Sequence, residues 1–291
     1  MDRDVAREDI RLAIRNIQNL PTLPTVVVRI MEVAQDRGAN AKQLAEIVSN
    51  DQSVFARVLK LANSAFYGFS RQITNITQAV VVLGFDTVKS LALSITTFDS
   101  LSKLSEESSL DRETFWFHSI GTGMVAKAIG KELGLRDSGS LFVSGLLHDL
   151  GKVILDTYFQ EHYAVVIDRL VAEGRAPRDV EREVLDIDHA EVGGWLAARW
   201  RFPEPLVAPI AHHHNPGAAN ESYLQQTLTV HLANILTKRL EIGLAYETSI
   251  PEPDELVYSY LNVTPEVIDR IMEDLGGAQD EIDEFFQYLN G

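Results

Sequence analysis

Six side chains of metal-binding type recur in order along this chain: His118, the adjacent pair His148-Asp149, His189, and the pair His213-His214. Imidazoles with one carboxylate suit Fe, Mn, Ni, Co or Zn better than Mg or Ca. The chain has no cysteine, so thiolate ligation and disulfides are excluded. At helical spacing His118 shares a face with Thr122, Val125 and Ile129, at the edge of an apolar stripe. His148 aligns with Leu141 and Gly145, and His189 with Val192, Leu196 and Trp200. A polar group in such a position must find a partner or cost roughly 1–3 kcal/mol in desolvation. One or two shared divalent cations supply a partner for all of them. Any one of these histidines, taken alone, reads as a hydrogen-bonded core residue. His213-His214 alone reads as a helix C-cap favoured by the helix dipole. The ordered set is what points to metal. His162 reads as surface, and His212 as a spare beside the pair.

The elements that must position these residues are helical. After Pro21 and Pro24, an amphipathic pattern through Val28, Ile30 and Met31 stops near Gly38, with a brief strand-like alternation at 26–28. Helices follow at 41–49, from Val54 to Leu61 with Gly68 as the stop, and at 73–83 and 87–97 with Gly84 between them. The Ser-rich stretch 99–109 marks the internal boundary. Further helices are predicted over 115–133, 141–159, 163–172, 190–200, 204–214 and 224–240. Asp188 caps the helix that begins at Ala190, with Glu191 completing a capping-box-like pair. The acidic tail reads as two helices, 265–275 and 280–289. The fold class is therefore all-α.

At 291 residues and 45% apolar content, the chain is long enough to bury a sizeable core. Its net charge of −16 opposes binding to nucleic acid and to anionic membranes. Met1-Asp2-Arg3-Asp4 has no apolar signal region, and no apolar run approaches the roughly 20 residues of a membrane span. A cytoplasmic protein without cysteine is expected. Residues 41–67 have a helix-turn-helix look, but Lys42, Gln43, Gln52, Arg57 and Lys60 are few outward donors for DNA in so acidic a chain.

The stretch Leu146-Leu147-His148-Asp149-Leu150-Gly151-Lys152, within the ordered histidines, resembles the signature of the HD superfamily of metal-dependent phosphohydrolases. Leu20-Pro21-Thr22-Leu23-Pro24, Leu59 to Tyr67, Ala79 to Gly84, Trp200-Arg201-Phe202-Pro203 and His213-His214-Asn215-Pro216 narrow the resemblance to the HDOD domain, the HD-related output domain of bacterial signalling proteins. It covers roughly residues 15 to 235.

The resemblance implies a two-lobed helical architecture: an N-terminal lobe at 1–105, an HD-like lobe with the metal site at 106–240, and an acidic helical extension at 241–291. It makes His118, His148, Asp149, His189, His213 and His214 the metal ligands. Asp149 would bridge two ions, and Lys152 would contact a phosphate oxygen if the site is active. Two departures stand out. Asn234 occupies the place of a final aspartate, and an amide neutralises no charge. No Gly-Tyr-Pro signature follows His214, so the cyclic-dinucleotide branch has no support. The expected function is a regulatory signal-transduction module that holds one or two divalent ions without efficient catalysis. The alternative is a metal-dependent phosphohydrolase. A signalling protein or a second copy of the chain is the expected partner, and a phosphate-containing small molecule the expected ligand. Asp186, Asp188 and Glu191, near His189 in sequence, are the candidate carboxylates to restore charge to the site.

Overall fold

The computed structural model describes residues 24–35, 40–64, 67, 72–102, 104, 108–135, 138–244 and 250–290. Among them there are helices and turns but no strand. The N-terminal lobe holds α1 (Thr25–Gln35), α2 (Ala41–Ser49), α3 (Gln52–Ala62), α4 (Ile76–Leu83) and α5 (Phe85–Ser102). Asn40, Asp51 and Asn75 cap α2, α3 and α4, each accepting a bond from the backbone of the first turn. The alternation expected at 26–28 falls inside α1, where Val27, Ile30 and Met31 are buried at helical spacing. The stop at Gly68 lies outside the described residues.

The second lobe contains α6 (Arg112–Glu132), α7 (Ser138–Leu147), α8 (Leu150–Tyr158), α9 (Gln160–Glu173), α10 (Pro177–Leu185), α11 (His189–Arg199), α12 (Glu204–His212) and α13 (Glu221–Arg239). A short 3-10 turn, Pro216–Ala218, separates the last two. Helix α5 packs on α7, so a single apolar cluster runs through both lobes. A second cluster joins Val125 and Ile129 of α6 to Leu232 and Leu236 of α13 and to Val257 in α14 (Glu255–Ser259). Then come α15 (Pro265–Leu275) and α16 (Gln279–Asn290), close to the two tail helices predicted. Helix α16 buries Ile282, Phe285 and Leu289 against α3 and α6, and Arg57 donates to the Leu289 carbonyl at 2.9 Å. No described helix is long and apolar enough to cross a membrane.

Three departures from the predicted elements shape the site. The helix expected over 141–159 is two helices, with the chain turning at His148 and Asp149. Tertiary packing sets the break. Gly151 lies so close to α11 that a Cβ there would overlap the His189 carbonyl, and at Gly145 a Cβ would also press on the α6 backbone at Thr122 and Gly123. These approaches bring His148-Asp149 between His118 and His189. The helix at Pro177–Leu185 was not predicted at all. The helix expected to reach His214 ends at His212.

The start of α6 is fixed from α8. Buried Asp156 accepts from the Ser108 hydroxyl at 2.6 Å, from the Ser109 and Leu110 N–H groups, and from Arg112 at 2.8 Å. One carboxylate thus ties the interlobe segment to the element that carries His118.

Candidate metal centre

All six predicted ligands converge. Asp149 is buried and its two oxygens face different partners. Oδ1 lies 3.1 Å from His189 Nε2 and 3.5 Å from His213 Nε2. Oδ2 lies 2.7 Å from Lys152 Nζ, 3.4 Å from His148 Nε2 and 3.9 Å from His118 Nε2. His214 Nε2 is 2.9 Å from His189 Nε2. Two overlapping donor sets result: Asp149 with His189, His213 and His214, and Asp149 with His118 and His148. Donors about 2.1 Å from a shared ion lie about 3–4 Å apart, so both sets have metal-binding dimensions.

The histidines are held by their far nitrogens. His148 Nδ1 donates to the Gly145 carbonyl at 2.6 Å, and His213 Nδ1 to Ile210 at 3.0 Å. His189 Nδ1 donates to Glu181 Oε2 at 2.6 Å. In a neutral ring, a donating Nδ1 leaves Nε2 as a lone pair aimed at the centre. Three of these inward atoms, His148 Nε2, His213 Nε2 and Asp149 Oδ1, are buried without a hydrogen bond. Orphaned polar atoms are costly in a protein interior. His213 Nε2 and Asp149 Oδ1 face one donor set and His148 Nε2 the other, and a cation would satisfy such atoms, so the residues fit a divalent transition metal.

Electrostatics agree. Burial holds His148 and His214 well below the usual histidine range, and His213 below it, so all three stay neutral and able to ligate. Burial opposes charge on His189 as well, but Glu181 and Asp149 outweigh it and push this imidazole up to about 9. Burial also works against the Asp149 carboxylate. The neighbouring His148, Lys152 and His189 outweigh it and keep it well below the usual carboxylate range.

Asn234 sits at the centre with Oδ1 3.1 Å from His118 Nε2, while His118 Nδ1 lies 3.3 Å from the Ile242 carbonyl. A neutral imidazole donates from one nitrogen only, so it cannot serve both oxygens. Turned the other way, the amide would donate to Nε2. In either orientation this seventh position brings no charge.

Sequence reasoning missed Glu181. It is fully buried on α10, accepts from the His189 backbone N–H at 2.9 Å as well as from the ring, and receives the Tyr163 hydroxyl at 3.2 Å. The carboxylates expected to matter do other work. Asp188 caps α11 through the Glu191 N–H and pairs with Arg182 at 2.7 Å, and Asp186 ends α10 in a left-handed turn. His162 is exposed, as expected, and His212 is outside both donor sets. His231 braces the centre instead: it donates through Nδ1 to the His213 carbonyl at 2.7 Å and accepts from the Asp254 N–H at 3.0 Å.

A narrow cleft, partly open to solvent, reaches His118 and Asp149. Lys152 and Lys238 line it together with apolar side chains that include Phe115 and Ile167.

The HDOD domain model matches residues 20–216. The chain belongs to the HDOD domain family. An uncharacterized protein of Treponema pallidum is 30% identical over 236 residues, which are 79% of this chain and 44% of that protein, so the chain spans less than half of this relative's length. The crystal structure of an HDOD domain protein from Geobacter sulfurreducens superposes with a TM-score of 0.82 at 25% identity, covering 98% of this chain and 99% of that one. Two others share the fold. A candidate signal transduction protein from Marinobacter aquaeolei VT8 has a TM-score of 0.79 at 23% identity, covering 100% of this chain and 67% of that one. A candidate phosphohydrolase from Shewanella amazonensis SB2B has 0.74 at 24% identity, covering 96% and 97%.

Proposed function

We propose that this HDOD protein is a regulatory signal-transduction module. Its His/Asp centre holds a divalent transition-metal ion and does not turn over phosphoesters efficiently. The observation that carries this reading is Asn234: within a set of buried Asp149 and five histidines, of which only His214 is half-buried, the remaining inward position is an uncharged amide against His118. Asp149 is the one carboxylate among the ligands. Metal affinity depends on ligand charge, and a single carboxylate compensates two dications poorly. The ion then serves mainly to tie the His148-Asp149 turn to α11 and the end of α12, and the signal passes to a protein partner or a second copy of the chain. A cytoplasmic location belongs to the same reading.

The test is turnover of bis(p-nitrophenyl) phosphate by protein loaded with Mn(II), Fe(II) or Zn(II). The reading expects none above the rate of an Asp149→Ala variant. Metal-dependent turnover that Asp149→Ala abolishes would overturn it.

The cleft favours a second reading, a metal-dependent phosphohydrolase. Lys152 and Lys238 can pair with a phosphate, and His118 and Asp149 lie at its inner wall. A bound ion would supply Lewis acidity and a water of lowered pKa. On this reading Asn234→Asp gains phosphodiesterase activity that the parent lacks, marking the parent as a decayed enzyme.

A further inference from the structure

The two donor sets that share Asp149 have similar dimensions but opposite electrostatics. On the Oδ1 side, His189, His213 and His214 surround an oxygen with no hydrogen bond, and His213 Nε2 is likewise orphaned. Behind His189 stands a second buried carboxylate, Glu181, at 2.6 Å. That side therefore carries the charge of Asp149 reinforced through an imidazole by another acid. On the Oδ2 side, Lys152 Nζ already sits 2.7 Å from the oxygen, nearer than either imidazole nitrogen at 3.4 and 3.9 Å. His148 and His118 lean on neutral backbone carbonyls, of Gly145 and Ile242, and the added oxygen is the amide of Asn234. A dication entering there must expel an ammonium from a buried ion pair, with no further carboxylate to compensate it.

We propose that Lys152 is a built-in cation occupying the second position of the centre. The chain then binds a single metal ion, on Asp149 Oδ1 with His189, His213 and His214. This rests on the metal-binding reading above and assigns Lys152 a positioning role in place of a phosphate contact. It also makes the two halves of the histidine set unequal: His189 and His214 hold the ion, while His118 belongs to the half closed by lysine.

The test is Mn(II) binding to the full chain, read as stoichiometry by equilibrium dialysis and as the electron paramagnetic resonance pattern of the bound ion. The parent should take one Mn(II) per chain with the pattern of an isolated ion. His118→Ala should keep it within about threefold in affinity, whereas His214→Ala should weaken it at least tenfold. Lys152→Met should admit a second Mn(II) and give an exchange-coupled pattern. Two ions in the parent, or His118→Ala losing its ion as fully as His214→Ala, would overturn the proposal, and so would a folded Lys152→Met that stays at one. If Lys152→Met does not fold, the His118 and His214 variants decide the matter alone. A parent that binds no Mn(II) at all contradicts the metal-binding reading itself, which separates the two failures.

Discussion

Glu181 Oε2 lies 2.6 Å from the Nδ1 of His189 and 2.9 Å from the backbone N–H of the same residue. One carboxylate thus fixes both the start of α11 and the ring orientation of a ligand. Such outer carboxylates raise the basicity of an imidazole and lock its tautomer. Glu181→Gln keeps the shape and removes the charge. It should weaken metal binding by about 10–100-fold, read by competition with a chelator, while the helical circular dichroism is retained.

The same contact sets a pH dependence. His189 is held up to about 9 by Glu181 and Asp149 against the opposing effect of burial, so it is protonated in the metal-free protein at neutral pH. Metal must displace that proton. Apparent affinity should climb about tenfold per pH unit between about 7 and 9, then level off. In Glu181→Gln the levelling should move to lower pH.

Stability of the metal-free protein follows with the opposite sign. A histidine raised from 6.5 to about 9 adds stability that is fully present below 6.5 and disappears as pH rises through about 9, at most about 3 kcal/mol. His148, His213 and His214 are held down by burial, so their contribution is lost as pH falls below 6.5, where the unfolded chain takes up protons. Melting temperature against pH should show both limbs, and saturating metal should flatten the alkaline one.

Much of this arrangement is legible in the sequence. The helical period places the histidines on inward faces, and their order with His148-Asp149 carries the family resemblance. Two things are not legible, for physical reasons. The helical pattern from 141 to 159 carries no proline at 148–149, so it cannot reveal that close packing at Gly145 and Gly151 breaks it at the site. Glu181 lies in Val180-Glu181-Arg182-Glu183, which reads as a solvated charged face. Only the fold shows that α10 turns Val180 and Glu181 inward and leaves Glu183 outside. The one available signal was its place eight residues before His189, on a helix with Pro177 at its start.

Gly151 gives a direct test of the packing that creates the site. A Cβ there would stand 1.9 Å from the His189 carbonyl oxygen, and backbone cannot yield as a side chain can. Gly151→Ala should destabilise the protein by about 3 kcal/mol or more and weaken metal binding with it, because α8 and α11 must separate. Urea denaturation with and without metal would show both losses.

Far from the centre, Leu289 closes the core from α16. It is fully buried, and its carbonyl is tied to Arg57 on the N-terminal lobe. Leu289→Ala should cost about 2–5 kcal/mol while leaving metal affinity unchanged, since no ligand touches α16. A large loss of affinity in this variant would mean that the two ends of the molecule are coupled.

The central claim is that the His/Asp constellation is a working metal site. Its most direct test is transition-metal content, by mass spectrometry of untagged protein purified without chelator, beside a His148→Ala/Asp149→Ala variant. The account predicts a transition-metal ion retained in the parent and lost in the variant. A parent that is folded and metal-free, and that stays so after exposure to Mn(II), Fe(II) and Zn(II), would contradict it and leave the histidines as core packing.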